Sequence, residues 1–420
     1  MSAQQPQKLD KIDLDRAHMM LRQAYDDVKK NYYDVSYHAV DLDASYRQYD
    51  ARLDSSQTIN QSFRVIAAFL AALHDSHTFF MPPMRANRST PGFNMEMVGD
   101  KCFVTRIRPG TDAATKLHVG DQVLAFDGFA VRRAELSDMR YFLEILSPAP
   151  TETLGILGST GEPRQETIHA AVRSGKAVLD VSGSDGGGDF WDLVRADEED
   201  AELNRERTFE SGDTLIWKMP SFFVSPETVN TVFSKARKHN VLILDLRGNP
   251  GGAIDTLKDM LAHVFDHDVT LGNRVSRKDS KPEVVKAKGN PFTGKLIVLI
   301  DSESGSSAEL IARVIQIEHR GEVIGDRSAG AVMEARHFDE SIGVDTKIFY
   351  GFSITSANLV MTDGKSLEKT GVTPDETVLP TATDLAEGRD PVLSHAAELA
   401  GEKLDPTAAG KLFPFEWGSL

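Results

Sequence analysis

A chain of 420 residues is too long for one ordinary hydrophobic core, so two or three domains are expected. Hydrophobic residues make up 40% and charged residues 26%, the balance of a soluble globular protein. The formal net charge of -16 argues against a nucleic-acid surface, which needs clustered lysine and arginine, and favours neutral or basic partners.

The lone cysteine, Cys102, excludes an intrachain disulfide framework and a cysteine-based zinc site. Its neighbours in Lys101-Cys102-Phe103-Val104 read as a strand, so a small buried side chain is expected there. No apolar run reaches the ~18 to 20 residues of a membrane span. Met1 to Gln7 lacks the basic start and apolar stretch of a signal peptide, which leaves a cytoplasmic protein or a targeting segment absent from this sequence.

Residues 1–90 read as a helical region. Ile66, Ala67, Phe69, Leu70 and Leu73 recur at three- and four-residue steps, and the region ends on Asp75-Ser76-His77-Thr78 before the breaker Pro82-Pro83. Residues 91–175 change to short strands and turns, with Phe103 to Ile107 alternating as a half-buried strand does. Residues 176–212, with Gly186-Gly187-Gly188 and the acidic run Asp197-Glu198-Glu199-Asp200, read as a solvated linker. Residues 213–385 alternate strands and helices. Val241 to Leu244 and Leu296 to Ile300 are continuous apolar runs, as in strands covered on both faces, so the fold class is α/β. Residues 386–420 form a C-terminal tail, one more helix with loose ends.

Two strand ends carry candidate chemistry. Val241 to Leu246 runs into Arg247-Gly248-Asn249-Pro250-Gly251-Gly252, whose glycines can present backbone N–H groups to an oxyanion. A tight turn with Asp245 and Arg247 pairing locally accounts for the same residues equally well. Leu299-Ile300 runs into Asp301-Ser302-Glu303-Ser304-Gly305-Ser306-Ser307-Ala308-Glu309, where a serine at a helix start suits a nucleophile. Ordinary N-capping, with Glu309 completing a capping box, is the competing explanation. Ligands collect at the carboxyl ends of parallel strands, so the two loops are expected to share one cleft.

Together these motifs resemble those of the C-terminal (tail-specific) processing serine peptidases. Leu244 to Gly252 is similar to the family's glycine motif, Ser304 to Glu309 to its nucleophile motif, and Ile324-Gly325-Asp326 to the strand that follows. Glu368-Lys369-Thr370-Gly371-Val372-Thr373-Pro374-Asp375 resembles its closing motif. The resemblance implies a crotonase/ClpP-like α/β catalytic core behind an N-terminal helical region and an inserted PDZ-like β domain. It makes Ser306 the nucleophile and places the oxyanion hole on Gly251, Gly252 and Ser307, with no cofactor and no metal.

The PDZ resemblance rests on Ile107 to Ala114 and Leu117 to Gly128, and departs at Lys116, where the family has glycine. Gly92, Phe93 and Asn94 become the candidate peptide-binding loop, able to capture a peptide C-terminus as the chain adds as a strand. Its alternative is a structural turn.

The family's usual base, a lysine, is missing, because Ala331 occupies its place in Gly325 to Val332, and Arg327 cannot deprotonate near neutral pH. The resemblance therefore lies closer to the tricorn-like, retinoid-binding-protein-like branch. That branch implies His77 as general base, Ser76 as its orienting neighbour and Glu368 as a polarising fourth member. His263 and His267 have metal-ligand spacing without a third ligand and are expected on a solvent-facing helix. The expected function is a serine endopeptidase acting on protein or peptide substrates through their C-termini, outside the cytoplasm by family resemblance. The alternative is an inactive binder of peptide or hydrophobic ligand on the same scaffold.

Overall fold

The structure, a computed structural model, describes residues 9–84, 87–158, 161–174, 205–343 and 347–418. Three helices open the chain, Lys11–Asn31, Leu42–Leu53 and Ile59–Ala71. Asp10, Asp41 and Thr58 cap them by accepting first-turn N–H groups. Ala17, Leu21, Ala24 and Val28 line one face of the first helix and meet Ile66, Phe69 and Leu70 of the third. This core is completed by Phe80, Phe352 and Ile354, so the helices rest on a sheet supplied largely by the chain's second half.

That sheet is five-stranded and antiparallel. Ile348–Met361 pairs with Phe79–Met81, Val269–Ser276 and Met333–Ile342, and Ser280–Val285 closes one edge. Phe79 stands opposite Ser353 and Phe80 opposite Phe352, which fixes the segment just after His77 against the sheet.

A second antiparallel sheet follows Phe79–Met81 along the chain. Its strand path is Phe93–Val98, Lys101–Ile107, Gln122–Phe126, Thr151–Leu157 and Pro163–His169, around buried Met95, Val104, Phe126, Leu154 and Ile156. Phe93–Val98 is an edge strand. Cys102 is buried in this sheet, and burial pushes its thiol up to about 12, so it is an inert core residue. The α-helix Leu136–Arg140 continues as a π-helical turn, Tyr141–Leu146. Leu136 packs in the core of this sheet and Leu146 in the core of the helices.

The third sheet has six strands in the order Arg207–Ser211, Thr214–Lys218, Val241–Asp245, Lys295–Ile300, Glu322–Gly325 and Glu376–Thr377. All neighbours after the first pair are parallel. Leu242, Leu244, Leu296 and Val298 face the helices Pro226–Ala236, Ile254–Val264 and Ser307–Ile317. Ile243, Ile297 and Leu299 face the opposite side, covered by Val392, Leu393 and Ala396 of the helix Pro391–Leu399. Cover on both faces is the reason these strands read as unbroken apolar runs.

Three expectations change. The end of the expected linker, Arg207–Ser211, is a strand, because its turn to Thr214–Lys218 lets it pair along its whole length; residues 176–204 of that linker lie outside the described residues. The C-terminal tail is not loose, since the helices Pro391–Leu399 and Pro406–Ala409 bury Val392, Leu393, Ala396 and Ala409 in the core. His263 is not solvent-facing but buried, stacked on Phe233 at 4.9 Å, with its Nε2 and the Asn230 Oδ1 3.0 Å apart. His267 is exposed, and no cluster of three metal-ligating side chains occurs among the described residues.

Candidate active site

The glycine loop and the serine loop leave neighbouring parallel strands, Val241–Asp245 and Lys295–Ile300, at their carboxyl ends. Polar contacts stitch the loops together. The Gly305 N–H donates to the Asn249 carbonyl at 2.9 Å, the Ser304 hydroxyl to the Leu246 carbonyl at 2.9 Å, and the Gly248 N–H to Asp301 at 2.9 Å. At the root of the glycine loop, Asp245 is fully buried and does pair with Arg247, which also forks onto Asp390 at 2.7 and 2.8 Å. Burial opposes the Asp245 charge, but Arg247 and Lys218 overcome it and hold the carboxyl well below the usual range.

Ser306 caps the helix Ser307–Ile317 with φ 50 and ψ -116, a strained conformation for a residue with a side chain. Gly251 explains how the loops fit so closely: a Cβ there would lie 2.6 Å from the Ser306 Cβ. The Gly251 N–H is committed to the Asn249 side chain at 2.8 Å. Among the described residues, the N–H groups of Gly252 and Ser307 donate to no such partner, while the Ser307 hydroxyl donates to the Gly252 carbonyl at 3.0 Å.

Glu309 does more than cap its helix. It has no exposed surface, and its carboxylate accepts the Ser306 N–H at 3.0 Å, the Gly330 N–H at 2.8 Å, the Ala331 N–H at 2.9 Å and the Ser328 hydroxyl at 2.5 Å. Burial pushes this acid up to about 7, against donors that all favour the ionised form. Glu309 thus clamps the Ser306 backbone to the segment that carries Ala331.

The histidine turn is organised by Asp75, a residue whose role sequence reasoning missed. Its buried carboxylate accepts the His77 N–H at 3.0 Å, the Thr78 N–H at 2.8 Å, the Thr355 hydroxyl at 2.6 Å and the Tyr32 hydroxyl at 2.7 Å. Ser76, His77 and Glu368 come together as a chain. The Ser76 hydroxyl donates to Glu368 at 2.8 Å, its N–H donates to the same carboxylate at 2.7 Å, and its Oγ lies 2.7 Å from the His77 Nδ1. A hydroxyl has one hydrogen. Since Glu368 takes it, the Ser76 oxygen accepts from His77, which places the ring proton on Nδ1 and leaves Nε2 as the basic nitrogen. Burial lowers the His77 pKa below 6.5, and burial raises that of Glu368.

Ser306 and His77 share no direct hydrogen bond among the described residues. They are joined through one peptide group: the Ala331 carbonyl accepts the Ser306 N–H at 3.0 Å, and the adjoining Val332 N–H donates to Glu368 at 2.9 Å. Ala331, standing where lysine was expected, lies at that junction.

Gly92, Phe93 and Asn94 are not part of this cluster. They open the edge strand whose far end, about 16 Å on, meets the serine loop. Gly92 has φ 81 and packs on Thr111. Two carbonyls of that strand are already occupied, Met97 by the Ser302 hydroxyl at 2.7 Å and Met95 by Arg140 at 2.8 Å.

Residues 213–378 match the profile of peptidase family S41. The chain is 25% identical over 323 residues to the tail-specific protease of Haemophilus influenzae, covering 72% of this chain and 43% of that protein. It is 29% identical over 150 residues to a carboxyl-terminal-processing protease of Synechocystis, covering 36% of this chain and 33% of that protein. The chain therefore spans less than half the length of these two curated relatives. In fold it is similar to the crystal structure of mature CPAF, with a TM-score of 0.67 at 15% identity over 90% of this chain and 95% of that one.

Proposed function

We propose that this chain, whose residues 213–378 match the profile of peptidase family S41, is a serine endopeptidase that cleaves protein or peptide substrates through an acyl-enzyme. Ser306 attacks the scissile carbonyl, and His77 Nε2 takes its proton and later returns it to the leaving amine. Ser76 and Glu368 hold the imidazole in the tautomer that leaves Nε2 free and stabilise the imidazolium as it forms. Gly252 and Ser307 supply the oxyanion N–H groups, with Gly251 kept small so that Ser306 fits. The observation that carries this reading is the Glu368–Ser76–His77 relay, joined to Ser306 through the Ala331–Val332 peptide group. It provides a base without the missing lysine, in keeping with the tricorn-like branch.

The sheet beginning at Phe93 serves in this reading as a PDZ-like domain, with Gly92, Phe93 and Asn94 at the mouth of its peptide-accepting edge. Strand addition along Phe93–Val98 then requires Ser302 and Arg140 to release Met97 and Met95. Among the described residues no helix is long and apolar enough to cross a membrane. We assign the enzyme to protein substrates met outside the cytoplasm. The test is digestion of an unfolded, carboxymethylated protein by the wild type and by Ser306→Ala. Cleavage by the wild type alone supports the proposal, and equal cleavage by both overturns it.

A further inference from the structure

We infer that Arg140 and Tyr141 are positioning residues that together set the separation of Ser306 and His77. The inference rests on those two residues acting as proposed above. Arg140 ends the α-helix Leu136–Arg140 and Tyr141 begins the π-helical turn Tyr141–Leu146. They are consecutive, yet they hold different halves of the site.

The Arg140 guanidinium donates to the Glu303 carboxylate at 3.3 and 3.4 Å, three residues before Ser306, and to the Met95 carbonyl. Beside it, the Ser302 hydroxyl donates to the Met97 carbonyl at 2.7 Å. The serine turn is thus pinned to the edge strand and to Arg140. Tyr141 reaches the other way. Its hydroxyl donates to the Phe80 carbonyl at 2.5 Å, three residues after His77, and its ring meets Phe79 edge-on at 6.2 Å. A π-helical turn carries one more residue per hydrogen-bonded ring than an α-turn and so re-aims the side chains that follow it. That change of register lets neighbours address two segments at once.

The serine turn hangs from the parallel sheet, whereas the histidine segment belongs to the antiparallel sheet and the helical core. Glu368 ties them from one direction, through Ser76 and Val332. Arg140 and Tyr141 tie them from the other, with anchor points on adjacent Cα atoms about 3.8 Å apart. A nucleophile and a base supplied by segments so distant in sequence need such a brace, because small misplacements cost large factors in rate.

The experiment measures amide hydrogen exchange and fluorophosphonate labelling of Ser306 on the full chain for Tyr141→Phe, Arg140→Ala and Arg140→Lys. Tyr141→Phe should speed exchange across Phe79–Met81 and leave Ser302–Ser307 unchanged, and Arg140→Ala should do the reverse. Each should slow labelling by about 10- to 100-fold, with Arg140→Lys within about threefold of wild type because it keeps a cation for Glu303. Unchanged exchange at the anchored segment, or changed exchange with wild-type labelling, overturns the inference. So does a loosening of both segments together with a lowered melting temperature, which marks a merely structural role. A wild type that is not labelled at all contradicts the nucleophile itself, and the exchange pattern then judges the two anchors on their own.

Discussion

Ser306 and Glu368 grip opposite ends of one peptide group. The Ser306 N–H donates to the Ala331 carbonyl at 3.0 Å, and the Val332 N–H donates to Glu368 at 2.9 Å. The carboxylate at the far end of the Ser76–His77 chain is therefore also a strut for the Ser306 backbone. Glu368→Ala should lose both roles and slow labelling of Ser306 by a serine-directed phosphonate about 100-fold or more. Glu368→Gln, which keeps an acceptor of the same shape, should lose less. Equal losses in the two variants would show that charge alone matters.

Ser76 decides the histidine tautomer. Ser76→Ala removes the acceptor for the Nδ1 proton and should slow labelling about 10- to 100-fold, whereas Ser76→Thr keeps the hydroxyl and should stay near wild type. The two variants are compared by labelling rate at a single pH above 7. Equal rates in Ser76→Ala and wild type would remove Ser76 from the relay.

The pH profile follows from burial of His77. In the proposed mechanism only the neutral imidazole can accept the Ser306 proton, and burial lowers its pKa below the ordinary 6.5. The rate should therefore decline as the ring gains its proton, reaching half its plateau only below pH 6.5. Labelling rates from pH 4.5 to 8 in His77's presence, and in His77→Ala, should show that this acid limb disappears with the imidazole. A limb that persists in His77→Ala belongs to another group.

Gly251→Ala should abolish activity more surely than its size suggests. The added methyl would lie 2.6 Å from the Ser306 Cβ, and φ 104 is a region that side chains avoid. The loop must move away from Ser306, taking Gly252 with it, and labelling should fall about 100-fold or more. Wild-type labelling would place the oxyanion donors elsewhere.

Glu309→Gln puts an amide NH₂ in place of one carboxylate oxygen, facing either the Ser328 hydroxyl and the Gly330 N–H or the Ser306 and Ala331 N–H groups. Either placement leaves at least one buried N–H, that of Gly330 or of Ala331, without its acceptor, and the substitution should destabilise the fold by about 3 kcal/mol, read as a lowered melting temperature. A melting temperature equal to wild type would mean that the Ser328 to Ala331 segment finds other partners.

Much of this site was legible because its signals are local. Val241 to Ile254 and Leu296 to Ser307 each carry strand, turn and helix start within about fourteen residues. The Ser76-His77 pair stood out only once the absence of lysine at Ala331 demanded another base. What the sequence hid depends on contacts between distant residues. Asp75 is an unremarked acid until Tyr32 and Thr355 fold onto it from opposite ends of the chain. The Gly251 N–H looked available, but Asn249, two residues earlier, takes it. In sequence, Arg207–Ser211 merges with the acidic stretch before it, since a five-residue edge strand is too short a run to stand out from a charge run. His263 looked solvent-facing because its partners, Asn230 and Phe233, lie on another helix.

The central claim is that Ser306 is a nucleophile activated by His77. Its most direct measurement is the fluorophosphonate labelling of the wild type, Ser306→Ala and His77→Ala at pH 7.5, with the adduct mapped by peptide mass. The account predicts one adduct, on Ser306, absent in Ser306→Ala and formed about 100- to 10,000-fold more slowly in His77→Ala. An adduct on another serine, or an undiminished rate in His77→Ala, would contradict it.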